Sequence, residues 1–278
     1  MNGTAQQSLE GIERDVEEYR IQVSELLATY VRINAPCTTE LRRDKPDDPH
    51  QYAYSPPSGE ESQKPDVDVQ AALTVLGRRL RLRGDPSLDL RRSDLRNTNP
   101  VGADLSLALL SRSCIDGANL RNASFHMADL TGASMSGATL FGADLRAKRA
   151  LRHNPTLEEP VLMFVNLSAA YLMEARLEGN LMDDTRFNGA HLSAARLDGV
   201  RCRAGVDFTN AVLNCAHLEG ASLKDARGLL PKSVVHSFAN SQTRFPKGID
   251  PGRYRTFQDL QGKTDSDCGS WERMFDQD

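Results

Sequence analysis

From Leu90 to Gly228 large apolar residues return every five positions. Residues 101–105 read VGADL, 116–120 DGANL, 126–130 HMADL, 188–192 NGAHL and 219–223 EGASL. Each unit places a small residue, a polar residue and a large apolar residue in that order. A period of five matches neither the 3.6 of an amphipathic helix nor the 2 of a long strand. It suits a solenoid in which each unit makes one side of a coil, because so short a unit buries its apolar face only by stacking on neighbours. The central residues of the first tract are Leu90, Leu95, Pro100, Leu105, Leu110, Ile115, Leu120, Phe125, Leu130, Met135, Leu140 and Leu145. Pro100 departs from the pattern and is expected to distort one side. The register breaks at Ala147 and resumes through Leu162, Leu167, Leu172, Leu177, Met182, Phe187, Leu192, Leu197 and Cys202. One extra residue in RAGVDF then moves the next centre to Phe208, and Leu213, Leu218 and Leu223 follow.

The flanks read differently. Residues 8–33 carry apolar positions three and four apart (Ile12, Val16, Val23, Leu26, Leu27, Tyr30, Val31), which predicts helix, with a break expected near Tyr19. Ala35-Pro36 ends it, since Pro lacks a donor and restricts the residue before it. Residues 36–65 are rich in Pro and charge and read as a mobile, disordered loop. A second helix is predicted from about Asp66 to Leu82, with Val69, Leu73, Leu76 and Leu80 on one face. After the repeats, Pro231 opens a short helix to about Ala239, with Val234, Val235 and Phe238 available to cover the last coil. Residues 254–278 read as a tail anchored by Trp271 and Phe275. The chain thus divides into an N-terminal helical cap (1–87), a repeat tract (88–228) interrupted at 146–160, and a C-terminal capping helix and tail (229–278).

These units resemble the pentapeptide-repeat family, whose pattern is A-(D/N)-L-x-x about a central Leu or Phe. The resemblance implies a β-solenoid: a right-handed, quadrilateral parallel β-helix of about six coils, four units to a coil. The central residue and the small residue two before it would point inward. The structural core would include Leu130, Leu172, Phe187, Leu192, Phe208 and Leu213. ERDVEEYRIQVSELLATYVRINAP and DVDVQAALTVLGRR resemble the helical segment preceding the repeats in many actinobacterial members. Several of those carry a membrane span further upstream, which this chain is read as beginning too late to include. ARGLLPKSVVHSFANSQTRFPKGIDPG resembles the family's C-terminal cap.

Composition narrows the function. No apolar run approaches the roughly 20 residues that span a bilayer, and the first residues lack the basic and apolar regions of a signal peptide. The net charge is −4 with both signs interspersed, which argues against a nucleic-acid partner and against a strongly acidic mimic. Cysteines stand at 37, 114, 202, 215 and 268, an odd number without CxxC spacing, so neither a disulfide framework nor a zinc site is expected. A reduced, cytoplasmic setting follows. His126, His191 and His217 take outward positions, with no metal site or cofactor expected. Asp94, Asp104, Asp129 and Asp144 precede central residues, where a short polar side chain bonds local backbone. No nucleophile and base stand in a recognisable order, so catalysis is not expected.

Three surface features remain. Arg146, Lys148, Arg149, Arg152 and His153 form a basic cluster in the insertion, the candidate contact for a protein partner. The residue before the centre changes from Asp or Asn in the first tract to Arg176, Arg186, Arg196 and Arg201 in the second. Val161–Val165 is apolar throughout, so some of its side chains should face outward. The preferred reading is a non-catalytic scaffold for protein–protein interaction. By the same resemblance, the alternatives are a DNA mimic that protects gyrase or topoisomerase and a cytoplasmic adaptor in a membrane-associated signalling complex. With both ends of the column capped, a monomer is expected over a dimer.

Overall fold

The computed structural model describes residues 3–38, 41–43, 52–54, 66–79, 82, 85–146, 162–234 and 236–249; for 3–17, 41–43 and 52–54 the backbone alone is described. The repeats build a right-handed, quadrilateral parallel β-helix. Each side is so short that most inter-coil pairings are single parallel bridges. One column of bridges runs Asp94, Cys114, Ser134, Asn166, Arg186, Asp207 and Arg227. Where the pairing lengthens, β3 (Leu162–Met163), β4 (Leu181–Asp183) and β5 (Arg201–Cys202) form a parallel sheet that sets Met182 opposite both Leu162 and Cys202. Central residues and the small residues two before them fill the interior. Leu130, Leu172, Phe187, Leu192 and Phe208 are fully buried and Leu213 nearly so. Phe187 and Phe208 stack face to face, with centroids 4.8 Å apart and planes 4° apart.

The corners are repeated turns. The Ala108 amide donates to the Leu105 carbonyl at 3.1 Å, and Leu107, third of the four residues, has φ 58°. That is the type II pattern, which favours Gly at the third residue. The chain accepts Leu107, Met127 and Arg112 there as well, because each turn is held on both sides by the ladder. At Pro100 the ladder lacks a donor, and the amide of Asn99 is met by the Gln70 side chain at 2.7 Å. The extra residue near 205 is absorbed locally: Arg186 pairs with Asp207, 21 residues on, whereas Asn166 pairs with Arg186 at 20.

Helix α1 (Gly3–Asn34) runs unbroken through Tyr19, contrary to the expected break. Neither Gly nor Pro interrupts it between Gly11 and Pro36. Helix α2 (Val67–Arg78) is capped by Asp66, whose side chain accepts from the Asp68 amide. Its Gly77 lies so close to the first coil that an added Cβ would sit 2.5 Å from the Ala103 Cβ, and its carbonyl accepts from the Asp104 amide at 2.9 Å. Val69, Leu73 and Leu76 join the same core as Leu90 and Leu95. Between the helices, within the stretch read as a mobile loop, β1 (Leu41–Arg43) pairs antiparallel with β2 (Tyr52–Tyr54).

After α1 the chain closes the first coil's edge. Pro36 bridges Ser93 in antiparallel sense, and the Cys37 amide donates to the Arg92 carbonyl at 2.6 Å. Cys37 is joined to Cys114 by a disulfide, Cα atoms 5.7 Å apart. Cys215 is disulfide-bonded too, its partner outside the described residues. Both correct the expectation that these cysteines lack partners. Spacing along the chain could not reveal Cys37–Cys114, because the two meet only when the segment after α1 folds back on the coil. Cys202 is buried in the core, and burial pushes its thiol up to about 12, leaving it inert.

At the other end α3 is short (Pro231–Val234), and Val234 is fully buried. Phe238 does not lie over Leu218 and Leu223 as expected. It continues the outer column: its amide bonds Ala216, its carbonyl accepts from Leu218, and its ring packs on His217 at 4.7 Å. Ala239 and Ile249 supply buried apolar surface there instead. Val235, Trp271 and Phe275 lie outside the described residues.

Candidate interaction face

The position before each centre carries the bridge to the next coil and points its side chain out of the column. Where that residue is Asp, its carboxylate accepts the amide two residues on, as in Asp104 to Ser106 at 3.0 Å and Asp129 to Thr131 at 3.0 Å. This local turn bond is why the pattern favours Asp or Asn there. One face runs Asp104, Ser124, Asp144, Arg176, Arg196, His217 and Phe238 in successive coils. Beside it, two residues further along the chain, stand Arg146, Glu178, Asp198 and Glu219.

The family description "Pentapeptide repeats", in eight copies, matches residues 89–126, 116–146, 162–201 and 204–227. This column is a pentapeptide-repeat domain. Among solved structures the chain is similar to a trypsin-treated variant of QnrB1, described as a plasmid-mediated fluoroquinolone resistance protein. Identity is 16%, covering 53% of this chain and 79% of that one, with a TM-score of 0.33. It is also similar to HetL of Nostoc sp. strain PCC 7120, described as involved in heterocyst differentiation regulation (21% identity, 59% and 78% covered, TM-score 0.30). A third is a pentapeptide-repeat protein of the Arabidopsis thaliana thylakoid lumen (21% identity, 49% and 69% covered, TM-score 0.24). No curated protein sequence matches the chain.

On this pentapeptide-repeat face the order of charges inverts across the 147–161 interruption. Asp144 precedes its centre and Arg146 follows it, joined Nε to Oδ1 at 2.8 Å. One coil on, Arg176 precedes and Glu178 follows, at 3.3 Å. The base of one coil therefore stacks on the acid of the last. Burial pushes the Asp144 carboxyl up, but the Arg146 side chain and amide and the Arg176 charge hold it below its ordinary value. Arg196 bridges two levels, 3.3 Å from both Glu178 and Asp198.

At the next level His217 Nδ1 lies 3.4 Å from Glu219 Oε1. Asp198, His217 and Glu219 offer ligand atoms all within 4.8 Å of one another, the described group with metal-ligand chemistry. Arg196 is a cation already seated against the Asp198 of this group. Burial and the Glu219 charge raise the Asp198 carboxyl. The bond to Glu219 raises His217 above its ordinary value, against the opposing pull of burial. A raised histidine stabilises the fold below its unfolded value near 6.5, and that contribution is lost as pH rises through the folded value. The stability difference between the native chain and His217→Gln should therefore be larger at pH 5.5 than at 8.5, as read by denaturant midpoints.

Of the expected contact cluster, Arg146 is committed to Asp144, while Lys148, Arg149, Arg152 and His153 lie outside the described residues. Leu162 and Val165 are buried, and Met163 and Phe164 are half-exposed. His191 stacks on Tyr171 at 5.3 Å, on the side next to His217. The sequence reading missed the acids Glu178, Asp198 and Glu219. Their signal was present as RLEG at 176–179, RLDG at 196–199 and HLEG at 217–220.

Proposed function

We propose that the protein is a non-catalytic scaffold whose pentapeptide-repeat column docks a protein partner. The observation that carries this reading is the face of Arg176, Arg196 and His217 with Glu178, Asp198 and Glu219. Its charges are fixed at coil spacing by the backbone ladder and cross-linked by ion pairs, so little side-chain order is lost on docking. Among the described residues no helix is long and apolar enough to cross a membrane.

Alternating acids and bases do not favour mimicry of duplex DNA, which needs one sign along the rod. The disulfide at Cys37–Cys114 and the bonded Cys215 favour a compartment that oxidises thiols over the reduced cytoplasm first expected. The test is affinity capture from the native host with the intact chain and with R176E/R196E. A partner retained by the first and lost by the second is expected. Identical captures by both folded proteins would remove this face from the proposal.

A further inference from the structure

Helix α1 presents two unlike faces. Ala28 and Val31 are buried against the rest of the protein, while Tyr19, Val23, Leu26, Tyr30 and Ile33 are 68%, 50%, 68%, 36% and 70% exposed. With about 100° between successive residues, the second set lies on the side of the helix opposite the first. These five residues are spaced 4, 3, 4 and 3 apart, the spacing of a and d positions in a heptad. Leu9, Ile12 and Val16 continue the same spacing toward the N-terminus, so the pattern runs unbroken over residues 9–33 of a single 32-residue helix. Three and a half heptads of this kind exceed what packing against one's own domain requires, since that task falls to the other face.

We propose that α1 pairs with α1 of a second copy of this chain as a parallel two-stranded coiled coil. The residue choices select the occupant. Leu9, Val16, Val23 and Tyr30 take a, and Ile12, Tyr19, Leu26 and Ile33 take d; the central Val23–Leu26 heptad has the β-branched a and Leu d that favour two parallel strands. Across a parallel pair each g position faces the e position of the next heptad. Gln22 then meets Leu27, Thr29 meets Asn34, Ser8 meets Glu13 and Asp15 meets Arg20, so no like charges oppose. Eight apolar a and d positions per helix correspond to an interface on the order of 1,000 Å², the size at which a specific interface becomes stable. Because Tyr19, Val23, Leu26 and Ile33 face away from the domain, both columns fall on the outside of the pair. Val67, next to the Asp68 that accepts from the Tyr30 hydroxyl, is 79% exposed and widens the apolar surface beside the seam. The monomer expected from the capped column concerned only its two ends and not this helix.

The test is sedimentation of the full chain from about 1 to 100 μM, beside V23E/L26E. The native chain should sediment at twice the chain mass, and the double variant at the chain mass. At concentrations low enough for both to be single chains the two should melt alike, because Val23 and Leu26 are exposed in the single chain. Orientation is read from Val23→Cys, which in a parallel pair faces its own copy and should cross-link under mild oxidation. A native chain that stays monomeric to 100 μM overturns the proposal, whether the stripe is then bare or taken by a different helix. So does a dimer that survives V23E/L26E, or a dimer in which Val23→Cys fails to cross-link.

Discussion

Phe208→Ala is expected to destabilise the column by about 3–5 kcal/mol, the range for removing a buried aromatic ring from a close-packed core. Phe208 is fully buried and lies flat on Phe187, with centroids 4.8 Å apart. Collapse of the resulting hole is opposed from both directions. The Phe187 amide bonds the Asp207 carbonyl at 2.7 Å, and the Phe208 amide bonds the Arg227 carbonyl at 2.9 Å, so the coils above and below are pinned at fixed height. A globular core can let a helix settle into a void; a ladder with a bond at every side cannot, and the cost should fall in the upper part of that range. Lys224→Ala, on an exposed side chain paired to Asp225 at 3.6 Å, should stay within about 0.5 kcal/mol. Chemical denaturation of both variants reads the contrast, and equal midpoints would mean that the inward assignment of Phe208 is wrong.

The second large effect is expected from opening Cys37–Cys114. The bond closes a loop with a sequence separation of 77. In the chain-entropy description a closure of that length stabilises by about 4.5 kcal/mol. Cys37→Ser/Cys114→Ser should lose much of that figure and should lose it at one place. Cys37 sits where the segment after α1 covers the first coil, so freeing it should raise amide exchange at Leu90–Asp94 before the coils near Phe187 respond. Cys202 offers no thiol to rescue the bond by exchange, because burial holds it protonated to about pH 12. Uniform exchange across the column would show that the covered edge is held without the disulfide.

Why some of this was legible and some not follows from what each feature depends on. The repeat register needs only neighbours in sequence and one rule of stacking, so the pairing of Met182 with Leu162 and Cys202, and of Phe187 with Phe208, was open to reading. Features where separate segments meet were not. The disulfide depends on the chain after α1 folding back onto Ser93, a contact that no local pattern encodes. Phe238 was read as a cover for the last coil because it is large and apolar. Its place is decided by the bridge from His217, which puts residue 238 on the outer column and leaves the inner position to Ala239. On the candidate face the bases were visible because they replace an expected Asp. Their partners Glu178, Asp198 and Glu219 were overlooked because the position after the centre follows no rule of the repeat.

Ser134 bridges Asn166 and Asp144 bridges Arg176, each 32 residues on, where undisturbed coils pair at 20. The twelve additional residues leave the column without a trace in its register. This fold therefore counts height in levels and not in residues, and a corner works as a port: chain may leave, do something else, and rejoin one storey up. Natural variation at that corner is free to change what the tower displays while its walls stay the same, and a foreign segment grafted between Arg146 and Leu162 would be carried at a known height on a known side.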